Sequence, residues 1–173
     1  MSPQADAVLR VALKYHRKDH MTGRIVLFPV IGVVMCMLQG CTGEPPTETD
    51  SVLFSFKQEI SSTVHELSLR RNESTRIPVA VRNVGEQTWS SVGRAPVNVS
   101  YKWFRDGVVL PIEGERTVLP RPLAPGDSEP VDLTVVAPPA GGRLLLRITL
   151  VQESVAWFMA RGGKPLEIWV TVS

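Results

Sequence analysis

Beyond residue 51 the chain alternates apolar and polar positions in short runs, the period of a strand with one buried face. Val52, Phe54 and Phe56 form the first such set, and Leu67 and Leu69 the second. Ile77, Val79 and Val81 share a face within residues 75–83, and Val97, Val99, Tyr101 and Trp103 within residues 96–104. Asp106-Gly107 is a hairpin signal, with Val108-Val109-Leu110 beyond it. Thr117-Val118-Leu119 is a further short strand, and Leu123-Ala124-Pro125-Gly126-Asp127 reads as a turn. Val131, Leu133, Val135 and Ala137 alternate, as do Leu144, Leu146, Ile148 and Leu150, and finally Leu166, Ile168 and Val170. No segment after residue 41 keeps a helical period. The pattern predicts an all-β domain over residues 52–173, an immunoglobulin-like β-sandwich with Greek-key connections. An up-and-down barrel is the alternative, though several links are long for tight hairpins.

The first 50 residues follow a different logic. A basic start, Met21-Thr22-Gly23-Arg24, leads into the apolar run 25–38 and then to Leu38-Gln39-Gly40-Cys41. As a helix that run spans about 21 Å at ~1.5 Å per residue, short of the ~30 Å hydrocarbon core of a bilayer. A secretory signal helix fits better than a stable span. Thr42 to Asp50 is rich in Pro, Thr and Glu and cannot bury enough apolar surface to order itself.

Basic, apolar, small residues ending in Cys, then a polar tether: this order resembles a bacterial lipoprotein signal with its lipobox. The resemblance implies that residues 1–40 are removed and that Cys41 is acylated with palmitate-like chains, becoming the first residue on a flexible linker, 41–51. Two or more chains anchor firmly where one is marginal. The acylated Cys41 makes the lipid bilayer the first expected partner. Residues 1–20 fit the signal poorly, which suggests translation from Met21. The lipobox makes the cell envelope the expected location, and because Thr42, not Asp, follows Cys41, the outer membrane is the expectation where the cell has two.

Removing the leader changes the chemistry on offer. The whole chain carries +2, with 19 basic and 17 acidic residues. Arg10, Lys14, Arg17, Lys18 and Arg24 lie in the leader, as do Asp6 and Asp19. The remainder is close to neutral, so nucleic acid is not an expected partner. Cys36, His16 and His20 leave as well, and no disulfide remains for residues 42–173 to form. About 130 residues suffice for one domain held by packing.

Several pieces together are similar to a known family: Val81-Arg82-Asn83-Val84-Gly85 leading to Thr88-Trp89, then Val99-Ser100-Tyr101-Lys102-Trp103, Glu113-Gly114-Glu115-Arg116-Thr117-Val118-Leu119-Pro120, Leu123-Ala124-Pro125-Gly126, Ala137-Pro138-Pro139, and Leu150-Val151-Gln152-Glu153 with Val155-Ala156-Trp157-Phe158. They resemble the immunoglobulin-like four-tryptophan domain of selective-autophagy receptors, and more closely its bacterial relatives, over roughly residues 67–172. The resemblance implies a sandwich used for binding or spacing without catalysis of its own.

Catalytic candidates are sparse. His65 is the one histidine past the leader, without a Gly-x-Ser-x-Gly elbow, and ligands for zinc are too few. Asp127 and Glu129 flank a turn without the dense Asp/Asn loop that calcium favours. Neither a metal nor another cofactor is expected. Glu113, Glu115 and Glu153 are the acids available for a paired-carboxylate glycosidase, against the simpler reading of structural ion pairs with Arg116, Arg121 or Arg147. Trp103 is expected in the core. Trp89 and Trp157 stand where strands pass into loops, either closing one end of the sandwich or anchoring a ligand. With Phe158, Met159 and Arg161, beside Gly162-Gly163, they make the candidate recognition loop. The chain therefore reads as a membrane-anchored, non-catalytic binding or accessory module for an envelope protein or glycan. The alternative is a small envelope hydrolase acting on glycans through acidic residues.

Overall fold

The computed structural model describes residues 52–173. The expected signal helix, lipobox with Cys41 and tether lie outside the described residues. Within them ten strands form in chain order: β1 (Gln58–Ser61), β2 (Glu66–Leu69), β3 (Ser74–Asn83), β4 (Val97–Arg105), β5 (Val108–Val109), β6 (Thr117–Val118), β7 (Ser128–Val136), β8 (Gly142–Gln152), β9 (Ala156–Trp157) and β10 (Leu166–Val172). A single 3-10 turn, Phe158–Arg161, is the one helical piece among the described residues. The strands make two sheets, β1-β3-β7 and β2-β10-β8-β4-β5, with β6 also on β4 and β9 also on β8. This is an all-β, immunoglobulin-like β-sandwich.

The alternation seen in the sequence supplies the core. Ile77, Val79 and Val81 from β3 and Val131, Leu133 and Val135 from β7 face Val97, Val99, Tyr101 and Trp103 from β4 and Leu144, Leu146, Ile148 and Leu150 from β8, all buried. At Asp106-Gly107 both residues take positive φ, 49° and 80°, as the two-residue hairpin between β4 and β5 requires.

The first edge is divided between the sheets. β1 runs antiparallel to β3 as far as Ser61 opposite Ala80. The chain then crosses over, and β2 pairs in parallel with β10. Pro78 lies just past the last β1 pair, and Ser62 Oγ donates to its carbonyl at 2.7 Å. A residue without an N–H is tolerated in this inner strand because its neighbour has left at that point.

The free edge of β7 is closed from across the sandwich. Val136 N donates to Tyr101 Oη at 3.0 Å, and Trp103 Nε1 donates to Val136 O at 3.2 Å. Pro130 removes one more donor from the same strand, which discourages pairing with another chain.

One expected strand is out of phase. Val52 and Phe54 are 62% and 74% exposed, whereas Leu53 and Ser55 are buried. Residues 52–57 form no ladder. Two side chains hold the backbone instead: Gln152 Oε1 accepts from Leu53 N at 3.0 Å and Gln87 Oε1 from Phe54 N at 2.8 Å. Side-chain anchoring carries no period-two signature, and it sends Phe54 outward.

Candidate functional site

The residues proposed for a recognition loop separate into distinct environments. Trp89 and Phe158 are fully buried, so the expectation that they offer an accessible surface is corrected. They close the end of the sandwich where the chain enters. Phe158 makes edge-on contacts with Phe56 at 5.1 Å and with Trp89 at 5.4 Å between ring centroids. Such T-shaped pairs align a ring's positive rim with a negative face. Trp89 is held further by reciprocal backbone bonds with Leu123, at 2.9 and 3.0 Å. A Cβ on Gly163 would lie 2.6 Å from Phe56 O, so the turn after Phe158 can press on the entering segment only with glycine there. Met159 is half-buried and Arg161 exposed, its guanidinium 6.0 Å from the Phe56 ring.

Asn83 organises this end. Its Nδ2 donates to Gln87 O and Leu123 O, both at 2.8 Å, and its Oδ1 accepts from Gly85 N at 2.9 Å. Its own N–H and carbonyl bond to Asp127 O and Gly126 N. One buried amide thus ties the loop after β3 to the turn before β7.

Trp157 belongs to the outer face of the larger sheet. Opposite Val151 on β9, it has Lys102 Nζ at 4.4 Å and the Arg116 guanidinium at 4.7 Å over its ring. Around these cations sit the acids considered for catalysis. Glu113 pairs with Lys102 and lies 3.6 Å from Arg116. Glu153 Oε1 accepts from Arg116 Nε at 3.0 Å and from Asn98 Nδ2 at 2.9 Å. The hydrogen bond from Lys102, with smaller contributions from the Lys102 and Arg116 charges, holds the Glu113 carboxyl below its usual range. A general acid needs the opposite shift, upward toward neutrality. The main chain joins this cluster at Gly114, whose carbonyl accepts from Arg116 Nη1 at 2.8 Å and Ser100 Oγ at 3.2 Å.

Asp127 and Glu129 both face Arg121, at 2.7 and 2.8 Å, so a guanidinium takes the place where a cation would sit. Among the described residues no group of three or more His, Cys, Asp or Glu is placed to hold a metal ion. His65 is exposed just ahead of β2.

The same outer face carries a feature not singled out from the sequence. Trp169 pairs with Leu145, Leu145 with Phe104, and Phe104 with Val109. One register row therefore crosses β10, β8, β4 and β5 with an apolar side chain on every strand. Trp169 is 45% and Val109 49% exposed, and Val108 beside it is exposed too. Arginines flank the row: Arg143 lies over Trp169 at 4.6 Å and Arg147 over Phe104 at 4.3 Å, with Arg147 Nε also bonded to Glu167 at 2.8 Å. Phe104 is the one apolar residue on the outward alternate set of β4. Only the register brings the row's residues into line.

No protein-family model matches the chain, and no curated protein matches its sequence. Among solved structures it is similar to the CARDB domain of a Pyrococcus furiosus protein, at 15% identity and TM-score 0.38, over 67% of this chain and 90% of that one. It is also similar to a beta-glucosidase from Listeria innocua, at 12% identity and TM-score 0.36, over 69% of this chain but only 16% of the enzyme. A human ASH/PapD-like domain matches at 13% identity and TM-score 0.30, over 90% of this chain and 96% of that one. These likenesses are faint, and a role for the protein has to come from its own residues.

Proposed function

We propose that this protein is an envelope lipoprotein, anchored through acylated Cys41, that presents a non-catalytic immunoglobulin-like module to an envelope protein or glycan. The observation that carries the binding role is the apolar row Trp169–Leu145–Phe104–Val109, exposed at Trp169 and Val109, half-buried at Leu145 and buried at Phe104, on a sheet whose opposite face already supplies the core. Mixed aromatic and arginine surfaces of this kind are favoured at recognition sites. The resemblance to four-tryptophan domains points the same way. A hydrolase reading draws no support from the acids, because Glu113 and Glu153 are engaged by Lys102, Arg116 and Asn98. The leader and lipobox support the anchoring.

Two measurements test this reading. In cells fed labelled palmitate, the wild-type protein incorporates label and sediments with membranes, while Cys41→Ser incorporates none. Unlabelled wild-type protein would end the lipoprotein assignment. For binding, crosslinked envelope extracts probed with wild type and Trp169→Ala should differ by about tenfold in recovered partner, the loss typical of a central aromatic anchor. Equal recovery, with the variant's unfolding midpoint unchanged, would remove the outer face from consideration.

A further inference from the structure

We infer that the end of the sandwich at which the chain enters is a membrane-docking surface, and that its occupant is the bilayer itself. The inference rests on the lipoprotein reading above. It adds an orientation: the module lies with its entry end against the lipid and is not held away from it.

The first observation is a group of exposed apolar side chains at this end. Val52 and Phe54 open the described chain, directly after the tether, and both point outward. Phe54 is not a loose terminal residue. Its N–H is fixed by Gln87, the preceding N–H by Gln152, and Leu53 between them is buried. The fold spends two side-chain hydrogen bonds holding a phenyl ring in solvent. Val84, 41% exposed, comes from the loop at the same end: the neighbouring Gly85 lies against Ser55 Oγ and Lys57 O.

The second observation is charge. A depression of about 440 Å³ at this end is lined by Phe54, Phe56, Lys57, Glu86 and Arg161 among others. Lys57 is neutralised by Glu86 at 3.2 Å, while Arg161 stands exposed with its guanidinium 6.0 Å from the Phe56 ring. Apolar side chains bordered by a cation suit the boundary between acyl chains and anionic headgroups.

The third is reach. The residues from Cys41 to Ser51 can extend at most about 35 Å. Anchored so closely, the surface meets lipid as an intramolecular event, and weak affinity suffices. Burying a phenyl ring favours the docked state by about tenfold or more, and each cation near an anionic surface adds about fivefold.

Strand β3 provides the test, because Ser74 opens it and Val84 directly follows its last residue, Asn83, about 33 Å away at ~3.3 Å per residue. In the mature acylated protein Cys41 carries lipid, so an introduced cysteine is the only thiol a bimane can label. The full acylated protein, as Val84→Cys or Ser74→Cys, is reconstituted into vesicles of phosphatidylethanolamine and phosphatidylglycerol with brominated acyl chains. Docking predicts strong quenching at Val84→Cys and little at Ser74→Cys. Adding Phe54→Glu should reduce the first to the level of the second, and replacing phosphatidylglycerol by phosphatidylcholine should weaken it severalfold. Equal quenching at both sites, stronger quenching at Ser74→Cys, or contact between two copies at Val84→Cys without lipid quenching would overturn the inference and leave the anchor intact. Bimane uptake by protein with no introduced cysteine would show a free Cys41 and sink the lipoprotein reading, and the docking with it.

Discussion

Asn83→Ala lowers the unfolding free energy of the protein by about 3 kcal/mol, because it orphans two carbonyls and an amide at once. The side chain is fully buried and replaces a short piece of secondary structure. It supplies two donors to Gln87 O and Leu123 O and one acceptor to Gly85 N, on segments with no ladder of their own. Asn83→Asp should cost at least as much, since a carboxylate would face the two carbonyl oxygens. Urea unfolding followed by circular dichroism measures both. A loss under about 1 kcal/mol for the alanine variant would mean that the loop after β3 is held by other contacts.

Trp103→Ala should cost more, about 4 kcal/mol, the range for truncating a large buried aromatic. The indole fills the space between the sheets, packs edge-on against Tyr101 at 6.2 Å, and donates to Val136 O. Trp103→Phe separates the two contributions. It keeps most of the volume and loses the bond to the edge of β7. If that bond guards the edge, the phenylalanine variant will show faster amide exchange at β7 with only about 1 kcal/mol lost overall. Unchanged exchange there would refute the edge-closing role.

Much of the architecture was legible in the sequence because alternation survives wherever a strand has one wet face. β3, β7 and β10 follow it with scarcely an exception, and the same alternation puts Trp103 in the core. Alternation fails where hydrogen bonds come from side chains. The segment before β1 is held by Gln87 and Gln152, and the buried Gln58 bonds Leu150 N and Lys164 O on the side of β8 away from β4. Nothing in the order of residues marks a glutamine as a substitute for a strand.

The candidate sites were legible only in part, for a related reason. Trp89, Trp157 and Phe158 stand out in the sequence as aromatics at strand ends, which is where they are. Which of them is inside depends on packing between distant segments. Phe158 is covered by Phe56 and Trp89, and Trp157 lies under Lys102 and Arg116. The outer row needed register, which no single strand contains. The carboxylates were more legible, since oppositely charged residues on a sheet surface find one another: Glu113 and Glu153 meet Arg116, and Glu167 meets Arg147.

The parallel pairing of β2 with β10 has a mechanical meaning. The entry at residue 52 and Ser173 lie at opposite ends of the sandwich, and Ser173 extends the ladder by bonding to Leu69 O and Arg71 N. Tension applied between those ends runs along both strands and shears the ladder from Glu66–Trp169 to Leu69–Val172. Its bonds share the load and must rupture together, whereas a hairpin pulled from its open end would unzip one bond at a time. A module built this way resists stretching along the axis that joins residue 52 to Ser173.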